Sequence, residues 1–187
     1  MFNRPGIVFI IYLIGCLTGC AVKQENTELK QLFDLNWKFQ QGDFSSAIAV
    51  DFNDAQWRNL DLPHDWSTDG KLDDMNSGLE EDTSVSSVGW YRKQFILPSE
   101  WQNKSVAIYF EGCKRELKVY LNENLLAENT GTSDSLHYDL TPHLNYDNKN
   151  IIALRVNTSP QTNGKWLKGT GIPQHVWLLV TDPVRSK

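Results

Sequence analysis

Ser105-Val106-Ala107-Ile108-Tyr109-Phe110, followed after a short connection by Leu117-Lys118-Val119-Tyr120-Leu121-Asn122, is the stretch that decides the fold class. Val106, Ile108 and Phe110 fall on one side of an extended chain, as do Leu117, Val119 and Leu121, and the residues between them are small, polar or amphipathic. A period of two is what a half-buried antiparallel strand requires, because successive side chains point to opposite faces of the sheet. Working outward, further short runs of strand type occur at Asn36 to Phe39, Gly89 to Leu97, Ile151 to Val156 and Val176 to Val180, each bounded by turn residues. The last two are more continuously apolar, which predicts central strands covered on both faces. No segment carries a long helical stripe, although Asp54 to Arg58 has room for one turn. The spacing predicts an all-β sandwich over residues 34–187.

Composition agrees with a single folded domain. A chain of 187 residues with 40% hydrophobic and 22% charged residues can bury a real core and lacks the bias of a disordered segment. Its net charge of -5, with no Lys/Arg cluster, argues against the phosphate-neutralising surface that nucleic acid needs. A (β/α)₈ barrel takes about 250 residues, so an active site carried on such a barrel cannot be complete in this chain.

The first 20 residues read as an address. Arg4 precedes the apolar run Ile7 to Ile14, about half the ~20 residues of a membrane-spanning helix but of the right size for an export signal. Leu17-Thr18-Gly19-Cys20 follows directly, and small residues ahead of a Cys at that distance look like a bacterial lipobox; an ordinary signal peptide with an incidental cysteine is the alternative. The expectation is a lipoprotein signal over residues 1–19, lipidation of Cys20, a polar tether over 20–33, and an exported protein anchored to the membrane at the periplasm or cell surface. With Cys16 in the signal and Cys20 lipidated, Cys113 is left as a small packed residue and no internal disulfide is expected.

Motifs for familiar chemistry are missing. The sequence has no phosphate-cradling glycine–lysine loop, HExxH, CxxC or GxSxG pattern, so no cofactor is implied. His64, His137, His143 and His175 lack metal-ligand spacing. Ser67 to Val88 gathers Asp69, Asp73, Asp74, Glu80, Glu81 and Asp82 in a long irregular stretch; Ca²⁺ would suit their oxygens, but the spacing matches no calcium loop, so a solvated loop and no metal are expected. His64-Asp65 is adjacent in sequence, which puts the two side chains on opposite faces of extended chain, and a turn at Pro63 with Asp65 bonding local backbone is the simple reading. Of seven Trp, Trp66 and Trp166 stand beside polar, Gly-containing sequence, where each either stacks on a sugar or plugs an end of the sandwich.

Several ordered motifs carry a family resemblance. Phe52-Asn53-Asp54-Ala55-Gln56-Trp57-Arg58, Leu62-Pro63-His64-Asp65-Trp66, Val88-Gly89-Trp90-Tyr91-Arg92-Lys93, Phe110-Glu111-Gly112, Val119-Tyr120-Leu121-Asn122, Tyr138-Asp139-Leu140-Thr141-Pro142 and Trp166 to Trp177 span about Leu35 to Pro183. In that order they resemble the N-terminal sugar-binding domain of glycoside hydrolase family 2, the β-galactosidase family. The resemblance implies a jelly-roll, galactose-binding-like β-sandwich that is itself non-catalytic. Its partners would be an immunoglobulin-like domain and a catalytic barrel, and its ligand a galactoside-like carbohydrate. It nominates His64, Asp65, Trp66, Asn163, Lys165 and Trp166 for sugar contact and no catalytic residue. Asn122-Glu123 imitates the family's acid/base dipeptide but sits at a hairpin turn. The chain departs from the family pattern at Thr130-Gly131-Thr132-Ser133 and at Gly171-Ile172-Pro173-Gln174. A stand-alone, lipid-anchored carbohydrate-binding or interaction module is the other function consistent with these residues.

Overall fold

A computed structural model describes residues 28–66, 69, 87–113, 116–130, 135–159 and 170–183. Along them run strands β1 (Leu29–Leu32), β2 (Trp37–Gln41), β3 (Arg58–Leu60), β4 (Val88–Ile96), β5 (Ser105–Phe110), β6 (Glu116–Leu121), β7 (Asn124–Asn129), β8 (Leu136–Asp139), β9 (Lys149–Asn157) and β10 (Val176–Thr181). They pair antiparallel in two sheets, a four-stranded one ordered β1-β10-β5-β8 and a six-stranded one ordered β3-β2-β4-β9-β6-β7. From β4 onward the chain passes to and fro between the sheets, and the result is the all-β sandwich that the alternating runs predict. Among the described residues the helical elements are single 3-10 turns at Ser45–Ile48, Ser99–Trp101 and Thr141–His143.

The alternation explains the core. Val106, Ile108 and Phe110 of β5 and Leu117, Val119 and Leu121 of β6 are all 0% exposed and meet between the sheets with residues of β2, β4, β9 and β10. Each such side chain contributes about 1.5–3 kcal/mol on leaving water. Cys113 lies in the same core, as its sequence context suggests. The β6–β7 turn falls at Asn122 and Glu123, both at positive φ (47° and 72°), the backbone that a two-residue hairpin turn needs. Glu123 Oε1 accepts a hydrogen bond from Val50 N at 3.0 Å.

A second, smaller cluster of Ala47, Trp57, Val88, Trp90 and Ala153 covers the outer face of the six-stranded sheet. Arg92 fastens that cover. Its guanidinium reaches Asp54 Oδ2 at 2.9 Å and the carbonyls of Ala47 and Ala49, so a buried cation is both paired and hydrogen-bonded. With both faces covered, β9 is the central strand that its continuous apolar run predicts.

Two expectations need correction. Residues 29–32 are not tether: Leu29↔Val180 through Leu32↔Trp177 pair β1 to β10 along the sheet edge. All four side chains are exposed, so the segment has no apolar alternation to betray it, and only its backbone hydrogen bonds make it a strand. Nor is β10 covered on both faces. Val176, Leu178 and Val180 are buried, whereas Trp177 and Leu179 are half-buried on the outer side. Trp177 tolerates this because its Nε1 donates to Glu111 at 2.8 Å and Lys30 Nζ lies 4.1 Å from its ring centroid.

Candidate functional site

The connection after β3 and the segment leading into β10 are zipped together at one end of the sandwich. His64 N donates to Ile172 O at 2.8 Å and Ile172 N to His64 O at 3.0 Å, a short antiparallel bridge between loops far apart in sequence. Asp65 Oδ1 accepts from both the N and the Oγ1 of Thr170 at 2.8 Å. Asp65 Oδ1 thus reaches a partner 105 residues away, and this carboxylate ties two loops together.

Glycines make the approach possible. Gly171 has φ of 93°, and a Cβ there would sit 2.5 Å from Tyr91 Oη and 2.6 Å from His64 O, so a side chain is excluded by backbone and space alike. At Gly89 a Cβ would meet the Trp66 ring at 2.8 Å, which shows how closely Trp66 lies on β4. Trp66 stacks on Phe39 with centroids 5.3 Å apart and planes 26° apart, and it is 7% exposed. Of the two roles open to Trp66 in sequence, its burial fits the plug: one face of the ring lies on Phe39 and the residue belongs to the main core cluster.

His64 is held by a polar relay. Its Nδ1 lies 2.8 Å from Tyr91 Oη, and its Nε2 lies 2.6 Å from Arg58 Nη2 and 3.1 Å from Asp69 Oδ2. Arg58 Nη2 also donates to Asp69 Oδ2 at 2.6 Å. Burial pushes the His64 pKa below its ordinary 6.5, against the raising influence of Asp69, which favours the neutral ring. Nε2 thus stands between a guanidinium, which only donates, and a carboxylate, which only accepts. Burial also pushes the Tyr91 phenol well above its ordinary range. At Asp69 burial works upward, but hydrogen bonds from Arg58 and His64 outweigh it and hold the carboxyl below its ordinary value. The ring nitrogens of His64 are thus engaged, while Arg58 and Asp69, exposed at 49% and 37% of their side chains, offer donors and an acceptor at the rim. This arrangement is suited to binding hydroxyl-rich molecules.

On the other side of the same β10 approach, His175 Nδ1 lies 2.6 Å from Asp34 Oδ2, and Asp34 Oδ1 accepts from Val176 N at 2.8 Å. The carboxylate is buried and the imidazole half exposed. The hydrogen bond to Asp34 raises the His175 pKa above 6.5.

Of the six nominated sugar-contact residues, His64 and Asp65 are brought to this end, Trp66 lies beneath it, and Asn163, Lys165 and Trp166 lie outside the described residues. Cys20 and, apart from Asp69, all the acids of the Ser67 to Val88 stretch also lie outside them. Among the described residues no group of three or more His, Cys, Asp or Glu side chains could hold a metal ion. The sequence reading did not single out Arg58, Tyr91 or Thr170 as site residues. Arg58 and Tyr91 do stand inside quoted motifs, which was the available signal. Asp34 has no such marker, since its partners are 141 and 142 residues away.

Residues 33–180 match the family model described as glycosyl hydrolases family 2, sugar binding domain. The chain is 38% identical over 153 residues to the β-galactosidase BoGH2A of Bacteroides ovatus, covering 81% of this chain and 18% of that protein. It is 35% identical over 127 residues to a β-glucuronidase of Formosa agariphila, covering 67% of this chain and 13% of the relative. A solved β-glycosidase from Bacteroides vulgatus superposes with a TM-score of 0.71 at 39% identity, covering 83% of this chain and 20% of that one. The chain thus spans less than a fifth of the length of these two β-galactosidase and β-glucuronidase relatives. A match that runs through nearly the whole described sandwich means that the chain belongs to glycosyl hydrolase family 2, as its N-terminal sugar-binding domain.

Proposed function

We propose that the chain works as the non-catalytic sugar-binding domain of a β-galactosidase-like glycosidase, beside an immunoglobulin-like domain and a catalytic barrel, and that it is exported and held at a membrane through lipid on Cys20. The observation that carries this reading is the 38% identity to a β-galactosidase over most of this chain but only 18% of that enzyme. Retaining glycoside hydrolysis needs two carboxyls about 5–5.5 Å apart across the scissile bond, and the polar end of this sandwich instead uses Asp65 and Asp69 to tie loops and hold His64. In this role His64, Asp65, Asn163, Lys165 and Trp166 contact the galactoside-like substrate, and Trp66 supports His64 and Asp65 from below.

Assay of the purified chain on nitrophenyl β-galactoside and β-glucuronide should give no turnover above buffer. Mixing it with a family 2 catalytic fragment that lacks its own N-terminal domain should restore turnover. Hydrolysis by the chain alone would overturn the non-catalytic assignment, and failure to restore any fragment would remove the support for the enzyme role. Labelling with a radioactive fatty acid should mark the expressed chain, and Cys20→Ser should abolish the label.

A further inference from the structure

We propose that the outer face of the four-stranded sheet, along β1 and β10, is a membrane-contact surface that rests on a zwitterionic lipid bilayer, a role that depends on the anchor proposed at Cys20 and adds which side of the sandwich meets the lipid. Residues opposite one another in antiparallel strands share a face, so register assigns the side chains. One row across the four strands is Leu32, Trp177, Tyr109 and His137, and the next is Lys30, Leu179, Ala107 and Asp139. The outer face of the six-stranded sheet is covered by the second cluster, and among the described residues no counterpart covers this one.

Polarity on this face runs in one direction. The β1 and β10 positions are Leu, Lys, Trp and Leu, those of β5 are Tyr and Ala, and the acid stands at the far edge on β8. Trp and Tyr rings suit a membrane–water interface because each is apolar in body and polar at one end, and Lys lays its stem on apolar surface while its ammonium stays in water. The remaining charges are paired. Glu111 accepts from Trp177 Nε1 at 2.8 Å and lies 3.6 Å from Lys30 Nζ, which sits 4.1 Å from the Trp177 ring centroid and 5.4 Å from that of Tyr109. His175, edge-on to Trp177, is bonded to Asp34, and Lys104 pairs with Asp182 just past β10. A face of such balanced charge fits headgroups that carry both signs.

Position favours lipid over another protein. Cys20 stands nine positions before Leu29, and nine residues span at most about 30 Å, so an acyl chain on Cys20 holds β1 within that reach of the bilayer. Among the described residues, the exposed large apolar side chains Leu29, Leu32 and Leu35 fall together in the stretch nearest Cys20, whereas Ile96 and Leu125 are scattered on the other sheet. The tether also keeps the face at high local concentration, so a contact too weak to bind a free chain suffices.

The test couples the Cys20 thiol of the ¹⁵N-labelled chain of residues 20–187 to a maleimide lipid in phosphatidylcholine nanodiscs doped with a nitroxide lipid; Cys113 is buried and stays unreacted. The indole N–H of Trp177 and the amides of Leu32 and Leu179 should broaden, while the amides of Ile96, Leu125 and His137 stay sharp. Leu32→Glu should cut that broadening about tenfold or more, the equilibrium factor for losing one buried Leu, with its melting temperature unchanged because Leu32 is exposed. Equal broadening at Leu125 and Leu32, or an unaltered Leu32→Glu variant, would mean that the tether alone brings the chain near lipid and would overturn the proposal. So would lipid-free shifts of the Trp177 signal with rising protein concentration, which assign the face to a second copy, or on adding a family 2 catalytic fragment, which assign it to a neighbouring domain. The chemical coupling keeps this outcome separate from the anchor itself: absence of fatty-acid label on Cys20 removes the anchor, and even broadening removes the face.

Discussion

His64 and His175 stand on either side of the same approach to β10, and their surroundings drive them toward opposite charge states. His64 is half-buried between a phenol and a guanidinium, and burial lowers its pKa. His175 stands in solvent with a single strong partner, the buried Asp34 carboxylate, and that hydrogen bond raises its pKa. One residue type is thus biased toward the neutral ring in one network and toward the cation in the other. The lesson is that desolvation wins where the ring itself is enclosed, and the carboxylate wins where only the carboxylate is enclosed.

The strongest way to break the His64 side is to remove what supports it. Trp66→Ala should lower stability by about 3–5 kcal/mol, as loss of a buried aromatic does, visible as a large drop in the denaturant midpoint; a change within error would mean that Trp66 lies open and free for a sugar after all. On the His175 side, Asp34→Ala leaves the Val176 N–H without its acceptor and should cost about 1–3 kcal/mol, with Asp34→Asn recovering part of that because it still offers an oxygen. Equal effects of the two variants would show that the charge, and not the backbone bond, is what Asp34 supplies.

The pH dependence sharpens the same contrast. A lowered folded pKa means that the unfolded chain binds the proton more readily, so the contribution of His64 is present above the unfolded pKa near 6.5 and is lost as pH falls. A raised folded pKa reverses this, so the contribution of His175 is present below 6.5 and is lost as pH rises through its folded value. Melting curves taken from about pH 5 to about pH 8 should show His64→Gln flattening the acid side and His175→Gln the alkaline side. Matching profiles for the two variants would erase the distinction. The smallest effect is expected from Arg58→Ala: its ion pair with Asp69 is exposed, and such pairs are worth about 0–1 kcal/mol, so stability should barely move while the His64 titration moves upward as its cationic neighbour is lost.

Much of the sandwich was legible because strand alternation is a local property. Val106-Ile108-Phe110 and Leu117-Val119-Leu121 announce their faces without help from the rest of the chain, and positive φ at Asn122 and Glu123 fits the turn expected between two apolar runs. β1 was illegible for the opposite reason, since an edge strand with four exposed side chains is made by the neighbour that receives its backbone. The site was legible only in part. His64 and Asp65 stand in a quotable motif, yet the relay through Arg58, Asp69 and Tyr91 and the link to Thr170 join residues from 5 to 105 positions apart.

By itself, the sequence determined the all-β class, the inner faces of the main strands and the family, because periodicity and ordered motifs are written along the chain. Tertiary structure alone decided that Trp66 is core, that Asp65 clasps Thr170 and that Asp34 holds His175. Those outcomes depend on which distant groups arrive beside each side chain. Burial and hydrogen-bond partners are set by that arrival, and no local stretch of sequence encodes it.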